Sequence, residues 1–253
     1  MKVRAINAPS WLTARPIAHR GLHSKQTGLV ENTAAAAKAA IAKSYAIECD
    51  VRRTKDGDAV VFHDATLDRL TRESGRVDAF SAHELGRFDY KDCDQKIISL
   101  ADFLIRVSGR TPVIVEIKSD FDGDLRLADR AMAAVANYPG PICLKSFDPL
   151  ILISLRRGGA RCPVGLVARA DHHDEEWMGL PRNTLARMAD LSDFPLVQPD
   201  FLSWNHANLP HAIPMLCRAG IGMPVMTWAV RSKEAGRQAR IWADQIIFEG
   251  FEP

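Results

Sequence analysis

The chain has 253 residues, of which 47% are hydrophobic and 25% charged, and these proportions exclude a disordered chain and a collagen-like fibre. Its 33 lysines and arginines against 31 aspartates and glutamates leave a formal net charge of +2, too small for a general binder of nucleic acid or membrane surfaces. Five cysteines without a CxxC pair indicate buried thiols in a reducing compartment rather than a disulfide scaffold. The N-terminus lacks the pattern of a signal peptide and no apolar run reaches membrane-spanning length, so we expect a cytoplasmic protein without stable membrane association.

Short apolar runs typical of strands alternate with helical stretches along the whole chain. The predicted strands are residues 15–19, 45–51, 112–118, 141–146, 163–168, 194–200, 223–230 and 245–249. The predicted helices are residues 32–43, 100–107, 125–136, 149–157, 185–189, 207–219 and 233–242. Eight strands separated by helices predict an α/β protein with a parallel sheet, and their number favours a single (β/α)8 TIM barrel. An open doubly wound sheet is the alternative.

One part of the chain interrupts this alternation after the second strand. Residues 58–63 follow a Lys-Asp-Gly turn and predict an additional short strand, and the polar stretch 69–95 comes next. We expect this stretch to be a short excursion from the barrel without a core of its own. Residues 1–253 are therefore predicted to form one domain.

Acidic residues lie at the ends of two predicted strands, where the active site of a TIM barrel is found. Alternation along a strand places Glu48 and Asp50 on one face, and Glu116 occupies the same face of the next barrel strand. Three carboxylates facing the barrel interior require compensation, and oxygen ligands suit Mg²⁺ or Ca²⁺. The alternative is a network of strand-end salt bridges without a metal.

The charges of this predicted site suit a phosphodiester. One divalent cation, Arg20 and Lys118 together with the three carboxylates leave a formal charge of +1, which matches one monoanionic phosphodiester. His19 ends the first strand and His63 ends the additional strand. Cleavage of a phosphodiester needs a general base and a general acid, and two imidazoles can divide these tasks. The alternative is that each histidine is structural.

These residues form a series of motifs that resembles the bacterial glycerophosphodiester phosphodiesterase family over nearly the whole chain. The motifs are His19-Arg20-Gly21, Glu31-Asn32-Thr33, Glu48-Cys49-Asp50-Val51, Thr54-Lys55-Asp56-Gly57, Val60-Val61-Phe62-His63-Asp64, Leu67-Asp68-Arg69-Leu70-Thr71, Glu116-Ile117-Lys118, Ser146-Phe147 and Trp228. The resemblance implies a TIM barrel in which the metal ligands are Glu48, Asp50 and Glu116. It implies His19 and His63 as the acid–base pair and Arg20 and Lys118 as phosphate ligands, and we expect Trp228 to contact the alcohol part of the substrate.

The chain departs from the family pattern at three places. Val30 stands for a proline, Ala229-Val230-Arg231 follows the tryptophan in place of Thr-Val-Asn, and the last strand ends in Phe248-Glu249 rather than Thr-Asp. We expect none of these residues to touch the proposed metal or acid–base residues, so they should change substrate preference and not the reaction. Arg231 is predicted to disfavour cationic alcohols, with exposure to solvent or pairing with Glu234 as the alternative.

The predicted function is metal-dependent hydrolysis of small glycerophosphodiesters to sn-glycerol 3-phosphate and an alcohol, by a monomer or homodimer that binds no nucleic acid. A lysophospholipase D or sphingomyelinase D-like lipid phosphodiesterase and a non-catalytic phosphodiester-binding barrel are the alternatives. The His-Asp-Glu run at residues 172–176 is expected to be a solvated loop rather than a metal site.

Overall fold

A computed structural model describes residues 6, 8–172, 177 and 179–253. Within them, nine strands form one sheet: β1 (Ile17–Ala18), β2 (Ala46–Arg53), β3 (Ala59–Val61), β4 (Val113–Ile117), β5 (Ile142–Ser146), β6 (Val164–Ala168), β7 (Phe201–Asn205), β8 (Val225–Val230) and β9 (Gln245–Phe248). Eight of them are parallel neighbours in the order β1-β2-β4-β5-β6-β7-β8-β9, and Ile17 pairs with both Ala46 on β2 and Ile247 on β9. The sheet therefore closes on itself, which confirms the (β/α)8 barrel over the open sheet.

Helices follow the barrel strands. The described α-helices are α1 (Ala34–Ala42), α2 (Ala82–Leu85), α3 (Leu100–Val107), α4 (Arg126–Val135), α5 (Pro149–Arg157), α6 (Arg182–Ala189), α7 (Phe194–Val197), α8 (Ala212–Met215) and α9 (Lys233–Trp242). Their starts follow local chemistry: the Thr33 hydroxyl accepts the Ala36 N–H at the start of α1, and Asp148 accepts the Leu150 N–H ahead of Pro149 at the start of α5. None of these helices is long and apolar enough to cross a membrane.

The strands divide their side chains between two cores. On β2, Ile47, Cys49 and Val51 face outward into the large core that the helices cover, as the alternation predicts. A second core fills the barrel interior with Ile17, Ala46, Ile114, Cys143, Phe201, Met226 and Ile247. Gly165 leaves room for this filling, because a Cβ atom there would lie 2.2 Å from the Phe201 ring.

The prediction of a strand at residues 194–200 was wrong. Phe194–Val197 is the short helix α7, which has a proline in its first turn, and the strand β7 begins at Phe201. The run is apolar and short, so periodicity alone does not distinguish a buried strand from a buried helical turn. The predicted helix at 207–219 is also interrupted: a 3₁₀ turn at His206–Asn208 precedes α8, and a π-helical turn at Leu216–Gly220 follows it.

The excursion after β2 differs from its prediction in one respect. β3 pairs antiparallel with β2, and the chain then leaves the barrel before α3, as expected. This segment nevertheless has a small apolar cluster of its own, formed by Val60, Phe62, Leu67, Val77, Leu85, Tyr90 and Ile97. The expectation that it lacks a core was therefore wrong. The cluster fixes the position of β3, which carries His63 to the barrel mouth.

Candidate active site

The first feature of the site is a group of three carboxylates on the neighbouring strands β2 and β4, which we call the acidic triad: Glu48, Asp50 and Glu116. Each offers an oxygen atom, and these oxygens lie within 4.8 Å of one another. Asp50 and Glu116 are direct partners in the parallel register of β2 and β4. All three residues are buried, so the two-residue alternation of the strands has brought three negative charges into the barrel interior.

Two lysines compensate the acidic triad. The Nζ atom of Lys118 lies 2.7 Å from Glu116 and 3.4 Å from Asp50. The Nζ atom of Lys145, on β5, lies 2.9 Å from Glu116 and 3.1 Å from Glu48. Burial alone would raise the pKa of the Glu116 carboxyl, but the two ammonium groups outweigh it and lower that pKa to about 2. Glu116 is therefore ionised at neutral pH.

The acidic triad fits a divalent metal ion. Its donors are all oxygen atoms, the ligand type that Mg²⁺ and Ca²⁺ prefer. Within the described part of the chain, the buried Oε1 atom of Glu48 accepts no hydrogen bond, although the Lys145 ammonium is near. Burial opposes ionisation of Asp50, but the charges of Lys118 and Arg20 hold its pKa well below its usual value, so this ligand is also anionic.

A tight turn after β1 carries Arg20 to the acidic triad. Arg20 and Gly21 both have left-handed backbone conformations, with φ of 55° and 78°. A Cβ atom on Gly21 would lie 2.9 Å from Ala36, so this position requires glycine. In this turn the Arg20 N–H donates to Glu48 at 3.1 Å, and the guanidinium Nε lies 3.2 Å from Asp50.

A chain of ion pairs connects Arg20 with His63. Arg20 donates to Glu31 at 2.7 Å, and Arg69 donates to the same carboxylate at 2.8 and 2.9 Å. Arg69 also binds Asp64, whose Oδ1 lies 2.7 Å from Nδ1 of His63. The Nδ1 atom is thereby occupied, so Asp64 orients the His63 ring. Burial lowers the pKa of His63, and the Lys118 charge adds to this, which favours the neutral imidazole at pH 7.

His19 is oriented by a carboxylate from the opposite end of the sequence. Its Nδ1 atom lies 2.5 Å from Oε2 of Glu249, which directly follows β9, and its Nε2 atom lies 3.9 Å from Glu48. Glu249 also pairs with Arg231 at 2.5 Å. Burial would raise the pKa of Glu249, but hydrogen bonds from His19 and His23 outweigh it and lower that pKa well below its usual range. Glu249 is therefore an anionic partner for the His19 ring.

Glu249 and Arg231 correct two expectations. Both were predicted to lie away from the acid–base residues, yet Glu249 contacts His19 directly. The alternative in which Arg231 pairs with Glu234 was also wrong, because Glu234 pairs with Arg237 in the helix α9. Arg231 and Glu249 meet because β8 and β9 are neighbours in the barrel.

A cleft of about 500 Å³ opens beside the acidic triad. Its lining includes the polar residues His63, Glu116 and Lys118 and the aromatic residues Phe147 and Trp177. Trp228 lies in β8, where its Nε1 donates to the Ser203 carbonyl at 2.9 Å and its ring contacts Phe147 edge-to-face with a centroid separation of 5.6 Å.

The structure brings the predicted residues together at one end of the barrel. One connected network of ion pairs joins the predicted residues His19, Arg20, Glu48, Asp50, His63, Glu116 and Lys118, in which Glu31, Asp64 and Arg69 link Arg20 to His63. Trp228 contacts Phe147, which lines the adjoining cleft. The sequence analysis missed Lys145 and Glu249. Lys145 directly precedes the Ser146-Phe147 motif, and a charged residue directly after the apolar run Ile142-Cys143-Leu144 was an available signal. Residues 173–176 of the acidic run lie outside the described part of the chain.

The barrel and its buried groups define a TIM-barrel protein with a site of carboxylates and imidazoles at one end of its sheet. Residues 19–249 match the model of the glycerophosphoryl diester phosphodiesterase family, which is most of the chain. The protein therefore belongs to this family.

Individual relatives agree with this assignment. The chain is 29% identical over 161 residues to a glycerophosphodiester phosphodiesterase of Caldanaerobacter subterraneus subsp. tengcongensis, a match that spans 60% of this chain and 65% of that enzyme. The fold of the present chain is similar to that of a phosphodiesterase of Oleispira antarctica, whose structure was solved with the product sn-glycerol-3-phosphate. The TM-score is 0.73 at 18% identity, and the match covers 92% of this chain and 91% of the Oleispira chain. The fold is also similar to that of the glycerophosphodiester phosphodiesterase of Thermotoga maritima, with a TM-score of 0.68, 22% identity and coverage of 92% of each chain.

Proposed function

We propose that this protein hydrolyses glycerophosphodiesters to sn-glycerol 3-phosphate and an alcohol, with the help of one divalent cation. The observation that carries the proposal is the proximity of the acidic triad to two imidazoles, each of which is oriented by its own carboxylate. These groups lie at the end of the barrel where TIM-barrel enzymes have their active sites. Membership of the family and the product found in the Oleispira antarctica phosphodiesterase support the choice of substrate.

The cation, Mg²⁺ or Ca²⁺, would be held by Glu48, Asp50 and Glu116. When bound, it would neutralise negative charge that develops on the phosphoryl oxygens. Arg20 and Lys118 lie against the same carboxylates and would contact the phosphate from the protein side. Their attraction to the phosphate strengthens as water leaves the cleft, because electrostatic interactions are stronger in a lower dielectric.

The two histidines would move the protons of the reaction. One imidazole accepts a proton from the attacking oxygen as a new phosphorus–oxygen bond forms, and the other donates a proton to the alcohol oxygen as the old bond breaks. The attacking group is water, or a neighbouring hydroxyl of the substrate that gives a cyclic phosphate which water then opens to glycerol 3-phosphate. His19 and His63 each have Nδ1 against a carboxylate, which leaves Nε2 for this transfer. The Nε2 atom of His19 lies 3.9 Å from Glu48, and His63 lines the cleft together with Glu116, so both rings lie beside the acidic triad.

Release of glycerol 3-phosphate in a coupled dehydrogenase assay tests the proposal. We expect turnover of glycerophosphoglycerol and glycerophosphocholine, its loss in excess chelator, and its return with Mg²⁺ or Ca²⁺. A lysophospholipid is assayed in parallel. Turnover of the lipid alone would replace the proposal with a lipid phosphodiesterase, and binding of glycerophosphodiesters without turnover would indicate a non-catalytic barrel. Full turnover in metal-free protein would contradict the role of the cation.

A further inference from the structure

Lys145 is a charged side chain inside the barrel that the proposed reaction does not use. It lies on β5 in register with Glu116 on β4 and is fully buried. Lysine is almost never fully buried unless it is paired. Its two partners, Glu48 and Glu116, both belong to the acidic triad.

The surroundings of Lys145 hold its ammonium group at one place. Ile114 and Cys143 precede Glu116 and Lys145 by two residues on the same strands and belong to the apolar filling of the barrel. The ammonium therefore has an apolar floor on one side and carboxylates on the other. The ammonium lies 3.1 Å from Oε1 of Glu48 and 2.9 Å from Oε2 of Glu116. The other oxygen of Glu48 accepts from the backbone N–H of Arg20, and the other oxygen of Glu116 contacts Lys118.

We propose that Lys145 is an internal counterion that weakens the affinity of the acidic triad for divalent cations and stabilises the barrel when no cation is bound. The acidic triad carries three negative charges, and Arg20, Lys118 and Lys145 supply three positive ones. Without a counterion, buried carboxylates strongly destabilise a fold. A permanent charge at this place also repels an incoming cation, because the interaction of like charges is strong where water is excluded. The inference rests on the acidic triad of the proposed function but not on hydrolysis.

The test is a substrate-free titration of Lys145→Met, which keeps the length of the side chain and removes its charge. We expect the Kd for Ca²⁺ and Mg²⁺ in calorimetry to fall by about tenfold or more relative to the unsubstituted protein. We also expect a lower Tm in chelator and a larger rise of Tm on addition of Ca²⁺. Lys43→Met, at an exposed lysine paired with Glu252, is the matched control and should leave both quantities unchanged.

Lys145→Gln is a second neutral variant, and it is titrated in place of Lys145→Met if the methionine variant does not fold without a cation. Its Kd should also fall, because it too lacks the charge. An unchanged or weaker affinity in a neutral variant that folds would overturn the proposal, as would an unchanged Tm in chelator. Cation binding by the neutral variants but not by the unsubstituted protein would support it even if no phosphodiester were hydrolysed. Failure of all three proteins to bind either cation would overturn it.

Discussion

Glu31 offers a sharp test of the ion pairs that support the site, because it joins Arg20 to Arg69 and lies outside the acidic triad. Burial would raise the pKa of its carboxyl, but the hydrogen bonds and charges of the two arginines lower that pKa from 4.5 to about 2. A pKa that is lower in the folded state stabilises the fold above the unfolded-state pKa. The difference corresponds to about 3 kcal/mol at pH 7, on the scale of about 1.4 kcal/mol for each unit of pKa.

The perturbation is Glu31→Gln, which keeps the shape of the side chain and removes its charge. At pH 7 we expect a loss of about 3 kcal/mol, which corresponds to a fall in Tm of about 6–12 °C for a chain of this size. The stabilisation is lost as the pH falls from about 5 through the folded pKa of about 2, and about 1.5 kcal/mol remains at pH 3. The difference between the two proteins should therefore shrink by about half.

Thermal unfolding of both proteins at pH 7 and pH 3 measures this difference. Glu234→Gln is the matched control, because Glu234 is an exposed glutamate that pairs with Arg237, and its Tm should agree with that of the unsubstituted protein within about 1 °C. A Tm difference for Glu31→Gln that is equal at the two pH values would refute the assignment of the stabilisation to the ionised carboxylate.

Three further predictions concern the reaction. His19→Ala and His63→Ala should each lower kcat by about 10²–10⁴-fold with the fold retained by circular dichroism, and an unchanged kcat would make that histidine structural. Glu249→Gln should lower kcat by about 10–100-fold, because His19 loses its anionic partner. The control Glu252→Gln, at an exposed position, should leave kcat unchanged, and equal kcat values in the two variants would exclude a positioning role for Glu249. Arg231→Asn should shift the ratio of kcat/KM for glycerophosphocholine over glycerophosphoglycerol towards choline, and an unchanged ratio would show that Arg231, already paired with Glu249, does not affect specificity.

The sequence alone determined the class of fold and the composition of the acidic triad. Both follow from local periodicity: strands alternate with helices along the chain, and a period of two places Glu48 and Asp50 on the face opposite Cys49. The contact between Asp64 and His63 could also be predicted from the sequence, since the two residues are adjacent. By contrast, the run 194–197 misled the prediction because a short apolar segment has no period of its own.

Only the tertiary structure decided what surrounds these groups. Glu249 reaches His19 across 230 positions of sequence because β1 pairs with β9 when the barrel closes. Lys145 meets Glu48 and Glu116 because β5 is the neighbour of β4 and its alternate side chains face inward. Such contacts depend on which strand edges meet and in what register, and these are properties of the closed sheet rather than of any segment. The protonation states of the site follow from the same closure, since burial and neighbouring charges set the pKa of each group.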